Sequence, residues 1–408
     1  MNHSIENSKE KLITPYNILL VIAFCYDTLF NYATVVFRRL PIIGSVGDFV
    51  MPTVVIVLVL LNIFVYKTFA IHSYDLLITV VVVILLAISF LIYPENQQYY
   101  NVRNMRLVFL KAIPFLFIGT NFVAKKVTLR VLTYASYAAI IVNTAYLFYY
   151  MTDRDASDYN MNLAYLMLPH VLLAIHGLFN KNLKLNVVIR IALFVVGLVF
   201  IVSMGTRGPI LIMLVYLIVV IWKNTFGYGW KRAIIPMILI GVGVYCLSDS
   251  YMSLLADLRD YIEDLGLSTR ALDMFFEGEY ISSTSGRDDI YDILWVKIFN
   301  KPLGYGIFGE WQFVNYSAHN IYLQVCMYFG LIIGTLVIAL LLILVLKGYF
   351  STKNTVARDF ILLYLVFCVV RGIFGGEFFS DYVFFLIGLS LQCAIKKRSL
   401  DAEVCENA

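Results

Sequence analysis

Charge is scarce in this sequence: only 14% of its 408 residues are Asp, Glu, Lys or Arg, against about 25% in an ordinary soluble domain. Hydrophobic residues make up 61% of the chain and recur in long runs along almost its whole length. A helix that spans a bilayer needs roughly 20 mostly apolar residues. The composition therefore excludes an ordinary soluble domain and predicts an all-α polytopic membrane protein whose partner is the lipid bilayer. We expect no nucleic-acid partner.

Several motifs of catalytic chemistry are also missing. No strand is predicted, so no Gly-rich phosphate loop can follow one, and neither HExxH, GxSxG nor an acidic ligand cluster occurs. The six cysteines are scattered without a CxxC pair, and we interpret them as small buried apolar residues rather than disulfides or metal ligands. The sequence thus predicts neither a metal nor a cofactor.

Twelve apolar stretches predict twelve transmembrane helices, about nine of them within residues 1–248 and three within residues 320–408, before a short tail. Residues 249–319 are predicted to form one large helical loop outside the membrane. No repeat or linker marks a second soluble domain. The polar N-terminus lacks a cleavage pattern after the first span and is interpreted as a retained tail. The spans are expected at about 14–34, 48–66, 74–94, 104–122, 127–150, 161–179, 186–203, 207–222, 232–248, 320–346, 357–374 and 380–395.

The lysines predict the orientation. If both termini are cytoplasmic, 13 of the 16 lysines lie in cytoplasmic segments or at cytoplasmic span ends, which is the positive-inside pattern. The arginines show the opposite bias, since 10 of 15 fall on or near the outer face. A guanidinium group matches pairs of phosphate oxygens, whereas an ammonium group does not. This asymmetry favours a phosphate ligand outside; pairing of each arginine with a nearby carboxylate is the alternative.

Between Ser282 and Gly334 the sequence changes from a polar, loop-like stretch to an apolar, helix-like one. After a Ser/Thr/Gly run, Arg287 opens a predicted helix that ends before Pro302. A turn-rich segment with three glycines follows, and His319 then stands at the start of the tenth span. An ordinary imidazole accepts a proton near neutral pH, and the helix dipole favours its neutral form at this end. A histidine in this place is also compatible with a purely interfacial role.

Other polar groups are predicted at the same outer mouth. Arg207 stands in a very short turn between two spans, and Arg371 lies at the outer end of the eleventh span. Charges at membrane depth usually pair or line a polar cavity. Glu377 and Asp381 are the acids nearest Arg371, and we interpret them as its ion-pair partners rather than as a catalytic carboxylate pair.

Three short motifs together carry a resemblance: Thr206-Arg207-Gly208, then Ser285-Gly286-Arg287 with the Pro-Leu-Gly-Tyr-Gly turn at 302–306, then His319-Asn320 entering a span. In this order they resemble the O-antigen polymerase and O-antigen ligase superfamily. The resemblance implies a GT-C-like membrane glycosyltransferase that uses undecaprenyl-pyrophosphate-linked oligosaccharide without a metal. It implies that Arg207 and Arg287 hold the donor pyrophosphate and that His319 is the general base. We add Arg371, Asn320, Tyr322 and Arg106 as expected substrate-binding residues.

The resemblance leaves three functions open. The first is a Wzy-type polymerase, which joins lipid-linked repeats into an O-antigen or capsule polysaccharide at the periplasmic face of the bacterial inner membrane, with inversion at the anomeric carbon and possible control by a chain-length regulator protein. The second is a ligase that transfers a finished chain to lipid A core in lipopolysaccharide. The third, a flippase for the same lipid-linked glycan, is less favoured because the chain shows no paired interrupted helices.

Overall fold

The computed structural model describes residues 14–30, 47–153, 161–179, 183–203, 207–226 and 287–406, together with a few isolated residues between 256 and 273. Within these ranges the chain is helical and contains no strand, as predicted. A 3₁₀ turn, Pro94–Tyr99, and a π-helix, Leu107–Ala112, join the α-helices. The α-helices are α1 Pro15–Phe24, α2 Gly47–Phe64, α3 Ser73–Ile92, α4 Val102–Arg106, α5 Ile113–Thr120, α6 Lys126–Asp153, α7 Met161–Phe179, α8 Val187–Ser203, α9 Arg207–Phe226, α10 Arg287–Asn300, α11 Trp311–Val314, α12 Ile321–Phe329, α13 Leu331–Ser351, α14 Thr355–Phe374 and α15 Asp381–Glu406.

Most predicted spans correspond to helices, with two corrections. The tenth span, predicted as one helix over 320–346, is broken at Gly330 into α12 and α13. The fourth, predicted at 104–122, consists of α4, the π-helix and α5 in succession. The predicted span at 232–248 and most of the first loop helix lie outside the described residues. The predicted loop helix that begins at Arg287 is confirmed as α10.

Within the described ranges, two helices are long and apolar enough to cross a membrane, α3 and α13. Both expose rows of large apolar side chains, among them Leu77, Ile84, Ile332 and Leu336. A helix that is apolar all round and largely unburied needs an apolar environment, so these helices indicate a membrane protein. The other apolar helices of the described residues are shorter, and the count of twelve spans and the GT-C-like architecture stay predictions.

Helix α15 lies at the centre of the packing between α5 and α13. Its Gly388 approaches α5 so closely that an added Cβ atom would lie 2.5 Å from the carbonyl oxygen of Leu116. Gly119 of α5 faces Phe385 in the same way, and Gly348 of α13 faces Ser390. Small residues at such crossings let helix backbones pack closely, which is typical of helix association in membranes.

Candidate active site at one end of the helical bundle

The start of α12 is fixed by its first residues. Asn320 has an extended backbone and its side-chain oxygen accepts a hydrogen bond from the Leu323 amide at 3.1 Å, so it caps the helix. His319, directly before it, has a φ of +50°. This left-handed conformation is uncommon for a residue other than glycine and persists only where the surroundings impose it. The half-buried His319 ring lies 6.1 Å from that of Tyr316.

Left-handed backbone is concentrated in the segment that leads to His319. Gly304, Gly306, Phe308 and Asn315 all have positive φ values between +58° and +79°. For Phe308, a bulky residue, this is a genuine outlier; its ring is buried against Tyr100, Tyr328 and Phe379. Unusual backbone of this kind clusters at functional sites, so residues 304–319 are a candidate functional segment.

The glycine turn is paired to the far end of α12. The amides of Tyr305 and Gly306 donate to the carbonyl oxygens of Met327 and Tyr328, at 2.7 and 3.1 Å. Gly304 and Gly330 are in close backbone contact, since an added Cβ atom on Gly304 would lie 2.5 Å from the Gly330 nitrogen. The segment 304–319 therefore contacts the end of α12 through its glycine turn, and at His319 it leads into the start of the same helix.

Residues around the end of α3 hold the same segment from the other side. Ser89 accepts a hydrogen bond from the Ile307 amide at 2.7 Å. The side-chain nitrogen of Asn96 donates to the carbonyl oxygens of Tyr305 and Ile307, at 2.7 and 3.2 Å, while its oxygen accepts from Gln312. Both Ser89 and Asn96 are buried. These bonds satisfy loop carbonyls that would otherwise be buried without partners.

Glu310 is the buried acid of this segment. Its side chain is fully buried, and one carboxyl oxygen accepts from Gln324 Nε2 at 2.8 Å and from the Tyr328 hydroxyl at 3.3 Å. The second oxygen, Oε2, has no hydrogen-bond partner among the described residues. Burial raises the pKa of Glu310 to about 7; the bonds from Gln324 and Tyr328 oppose this rise, and the charge of Glu377 adds to it.

Helix α10 brings the Arg287 backbone to this region. The Tyr291 hydroxyl, one turn after Arg287, donates to the carbonyl oxygen of Ile373 at the end of α14. The Trp295 ring lies 5.9 Å from the Tyr322 ring on α12. Arg287 is the first residue of α10, so its backbone lies near the ends of α12 and α14. Its side chain lies outside the described residues.

The start of α9, which is Arg207, lies at the same end of the bundle. Helices α7 and α14 are antiparallel: Tyr165 lies against Arg371, and His176 pairs with Asp359 at 3.7 Å. Helix α9 packs beside both, and its Lys223 pairs with Asp359. Sixteen residues separate Lys223 from Arg207, a rise of about 24 Å, which brings Arg207 level with the end of α14. The Arg207 side chain lies outside the described residues.

Arg371 is enclosed by aromatic rings. Its guanidinium carbon lies 4.6 Å from the ring centroids of Tyr165 and Tyr382 and 5.2 Å from that of Phe367. Such cation–π contacts strengthen when they are desolvated. The predicted ion pairs of Arg371 with Glu377 and Asp381 are not observed among the described residues: Arg371 contacts aromatic rings, and Asp381 pairs with Lys111 at 3.2 Å.

A charged cluster is formed by Lys111, Asp27 and Asp381. Lys111 bridges Asp27, at 2.8 Å, and Asp381. The π-helix brings Arg106 and Lys111, five residues apart, to one side, where they cover the stacked rings of Phe30 and Tyr26. A small cavity opens beside the cluster and is lined in part by Asp27, Thr28, His170, Arg371, Asp381 and Tyr382.

The remaining predicted binding residues have structural contacts. Asn320 is buried in its helix cap. The Tyr322 hydroxyl shares a hydrogen bond of 3.1 Å with Thr335. Arg106 lies over Phe30 and, at 5.9 Å, over Phe49. Their expected contact with substrate stays a prediction, as does that of Arg371.

The structure thus brings the backbones of Arg207, Arg287, His319 and Arg371 to one end of the bundle. Glu310, Gln324 and Ser317 were not singled out from the sequence. A signal was present for Glu310, which is the one acid within the apolar and aromatic stretch 303–314. Among the described residues, no group of three or more His, Cys, Asp or Glu side chains could hold a metal ion.

Comparison with known proteins identifies one domain. A family model described as O-antigen ligase matches residues 192–339, from within α8 to within α13. The matched range contains Arg207, Arg287 and His319. Members of this family are glycosyltransferase-like enzymes. No curated protein and no solved structure matches the chain significantly. The match over residues 192–339 supports the resemblance of this chain to the O-antigen polymerase and ligase superfamily.

Proposed function

We propose that the protein is a polysaccharide polymerase, which joins undecaprenyl-pyrophosphate-linked oligosaccharide repeats at the outer face of the bacterial inner membrane. The observation that carries the proposal is the position of His319. It occupies a constrained left-handed turn at the start of α12, at the end of the bundle where α9 and α10 begin. The acceptor and donor lipids would approach this end with their tails in the bilayer and their sugars in water.

In the proposed reaction, His319 accepts the proton of the acceptor hydroxyl as that oxygen forms a bond to the anomeric carbon of the donor. The bond from this carbon to the pyrophosphate oxygen breaks, and the lipid pyrophosphate leaves with the electron pair. In-line attack inverts the anomeric configuration. Arg207 and Arg287 hold the pyrophosphate, where negative charge develops, so their guanidinium groups stabilise the transition state more than the ground state. No metal is required in this scheme.

The test is reconstitution of the purified protein in liposomes with lipid-linked repeats as the only donor and acceptor. We expect a ladder of polymer from the wild-type protein. His319→Ala and Arg287→Ala should each reduce the rate about a hundredfold or more, as loss of one preorganised catalytic group does, while the protein stays in the membrane. Ladders of normal length from either variant would contradict the assigned roles.

The ligase is the second candidate, because the matching family model is described as O-antigen ligase. It would use the same residues on a different acceptor. Adding lipid A core to the liposomes separates the two functions: a ligase forms product only with this acceptor, whereas a polymerase extends the repeats without it. Movement of the lipid-linked glycan without any new glycosidic bond would instead indicate transport.

A further inference from the structure

Glu310 connects α11 with α12, the helices on either side of the strained turn that carries His319. Its backbone carbonyl accepts hydrogen bonds from the amides of Phe313 and Val314, so it begins α11. Its side chain bonds Gln324 and Tyr328 on α12, the helix that starts directly after His319. The turn from 311 to 319 is therefore enclosed between two attachments made by a single residue.

The orientation of the Gln324 amide follows from its own contacts. Its oxygen accepts a hydrogen bond from the Phe378 amide at 2.7 Å, so its nitrogen must be the atom that faces Glu310. The same nitrogen reaches the Ser317 hydroxyl oxygen at 3.5 Å, and this oxygen accepts from the His319 amide, also at 3.5 Å. A chain of polar contacts thus runs from Glu310 to the backbone of His319.

This connection matters because the His319 backbone is strained. A left-handed conformation is unfavourable for a residue other than glycine and is retained only where neighbouring contacts determine it. Without the carboxyl group, the side-chain nitrogen of Gln324 would lose its hydrogen-bond acceptor. Gln324 would then no longer be held in place beside the Ser317 hydroxyl. The 311–319 turn would then relax, and the imidazole would move. A shift of about 1 Å at a catalytic group can cost on the order of a hundredfold in rate.

We propose that Glu310 is a positioning residue for the general base His319, acting through Gln324 and Ser317 and through its bonds to α11 and α12, on either side of His319. The proposal rests on the proposed glycosyl transfer. Glu310 itself touches no reacting atom: it sets where the imidazole stands relative to the acceptor hydroxyl.

The experiment measures initial rates of polymer formation in liposomes for the wild type, His319→Ala, Glu310→Ala, Glu310→Gln and Ser317→Ala. Gln312→Ala is the matched control, because Gln312 ties the same loop to Asn96 but is not part of the Glu310 contacts. We expect Glu310→Ala to lower kcat about a hundredfold with KM for the lipid-linked repeat within about threefold. Glu310→Gln keeps an acceptor oxygen for Gln324 and Tyr328. Because these hydrogen bonds are retained, its kcat should lie within about fivefold of the wild-type value. Gln312→Ala should lower thermal stability but leave kcat nearly unchanged.

The outcomes separate the two proposals. Absence of polymer from the wild type, or a fully active His319→Ala, defeats the polymerase assignment and with it the role of Glu310. If His319→Ala is inactive, a kcat of Glu310→Ala equal to that of wild type or Gln312→Ala overturns the positioning role, as does a change in KM alone. If Glu310→Ala does not fold, Ser317→Ala decides: a tenfold or larger loss in kcat supports the proposal, and a wild-type kcat overturns it.

Discussion

Replacing Gly330 by alanine should detach the glycine turn from α12. Gly330 ends α12 and begins α13 with φ of 80° and ψ of 167°, a backbone region that is essentially restricted to glycine. An added Cβ atom would lie 1.7 Å from the carbonyl oxygen of Pro302 and 3.0 Å from the Gly304 nitrogen. Both are backbone atoms, so no side-chain rotation can relieve the contact.

The magnitude follows from two contributions. The backbone strain costs about 1–3 kcal/mol. Separation of the two chains also breaks the bonds from the Tyr305 and Gly306 amides to α12, each worth about 0.5–1.5 kcal/mol net. Together these give a loss of about 4 kcal/mol in the free energy of unfolding. At the roughly 2 °C per kcal/mol expected of a chain this large, Tm should fall by about 8 °C.

The assay is thermal unfolding of the purified protein in detergent, followed by tryptophan emission, with polymer formation measured on the same samples. Gly372→Ala is the matched control: it also lies near the start of α12, but the atom nearest to its added Cβ would be the terminal Cδ1 of the Ile321 side chain, at 3.2 Å. We expect Gly372→Ala to shift Tm by about 2 °C or less, because a flexible side chain can yield. Equal shifts for the two variants would refute the reasoning.

Two further predictions concern buried charge. Because burial raises the pKa of Glu310 from 4.5 to about 7, the folded protein holds a proton that the unfolded chain has lost within this pH window. The stability contribution is therefore present below pH 4.5 and is lost as pH rises through 7, by about 3 kcal/mol in all. Gln324, Tyr328 and Glu377 are the groups that face the carboxyl. Glu310→Gln should raise Tm relative to wild type at pH 8 more than at pH 5; the same difference at both pH values would contradict this. Lys111→Met should leave Asp27 and Asp381 without their cation and lower the free energy of unfolding by about 2 kcal/mol, less than for a fully buried pair because Asp27 is partly exposed. Adding Asp27→Asn and Asp381→Asn should recover most of the loss in thermal unfolding, and failure to recover it would show that the Lys111 stem matters more than its charge.

Apolar runs were sufficient to predict most helices, because a run of such length has few alternatives to a helix. The interval 161–179 is an example, since it matches α7. The break at Gly330 was missed because a glycine within an apolar run is tolerated in a helix and does not reveal whether its φ is positive. The π-helix left no pattern in the sequence that distinguishes it from an α-helix.

The candidate site was predictable only where a residue type carried its own signal. Arginine at the end of a predicted span and histidine at a helix start are local features, and the structure brings their backbones to one end. The contacts of Lys111 with Asp27 and Asp381 join residues far apart in the chain, and no local pattern gives such pairs. Glu310 became informative only when its burial and its bonds to Gln324 and Tyr328 were known.

The π-helix at Leu107–Ala112 determines on which side of the helix the Lys111 side chain lies relative to that of Arg106. A π-turn contains one residue more than an α-turn, so Arg106 and Lys111, which are five residues apart, stand about one turn apart here. In an ordinary α-helix each residue turns the chain by about 100°, so the same five-residue spacing would place the two side chains about 140° apart. Arg106 would leave the side that it shares with Lys111, and the two stacked rings of Tyr26 and Phe30 could no longer be covered by both cations. The extra residue therefore acts as a spacer that sets the angle between two positive charges.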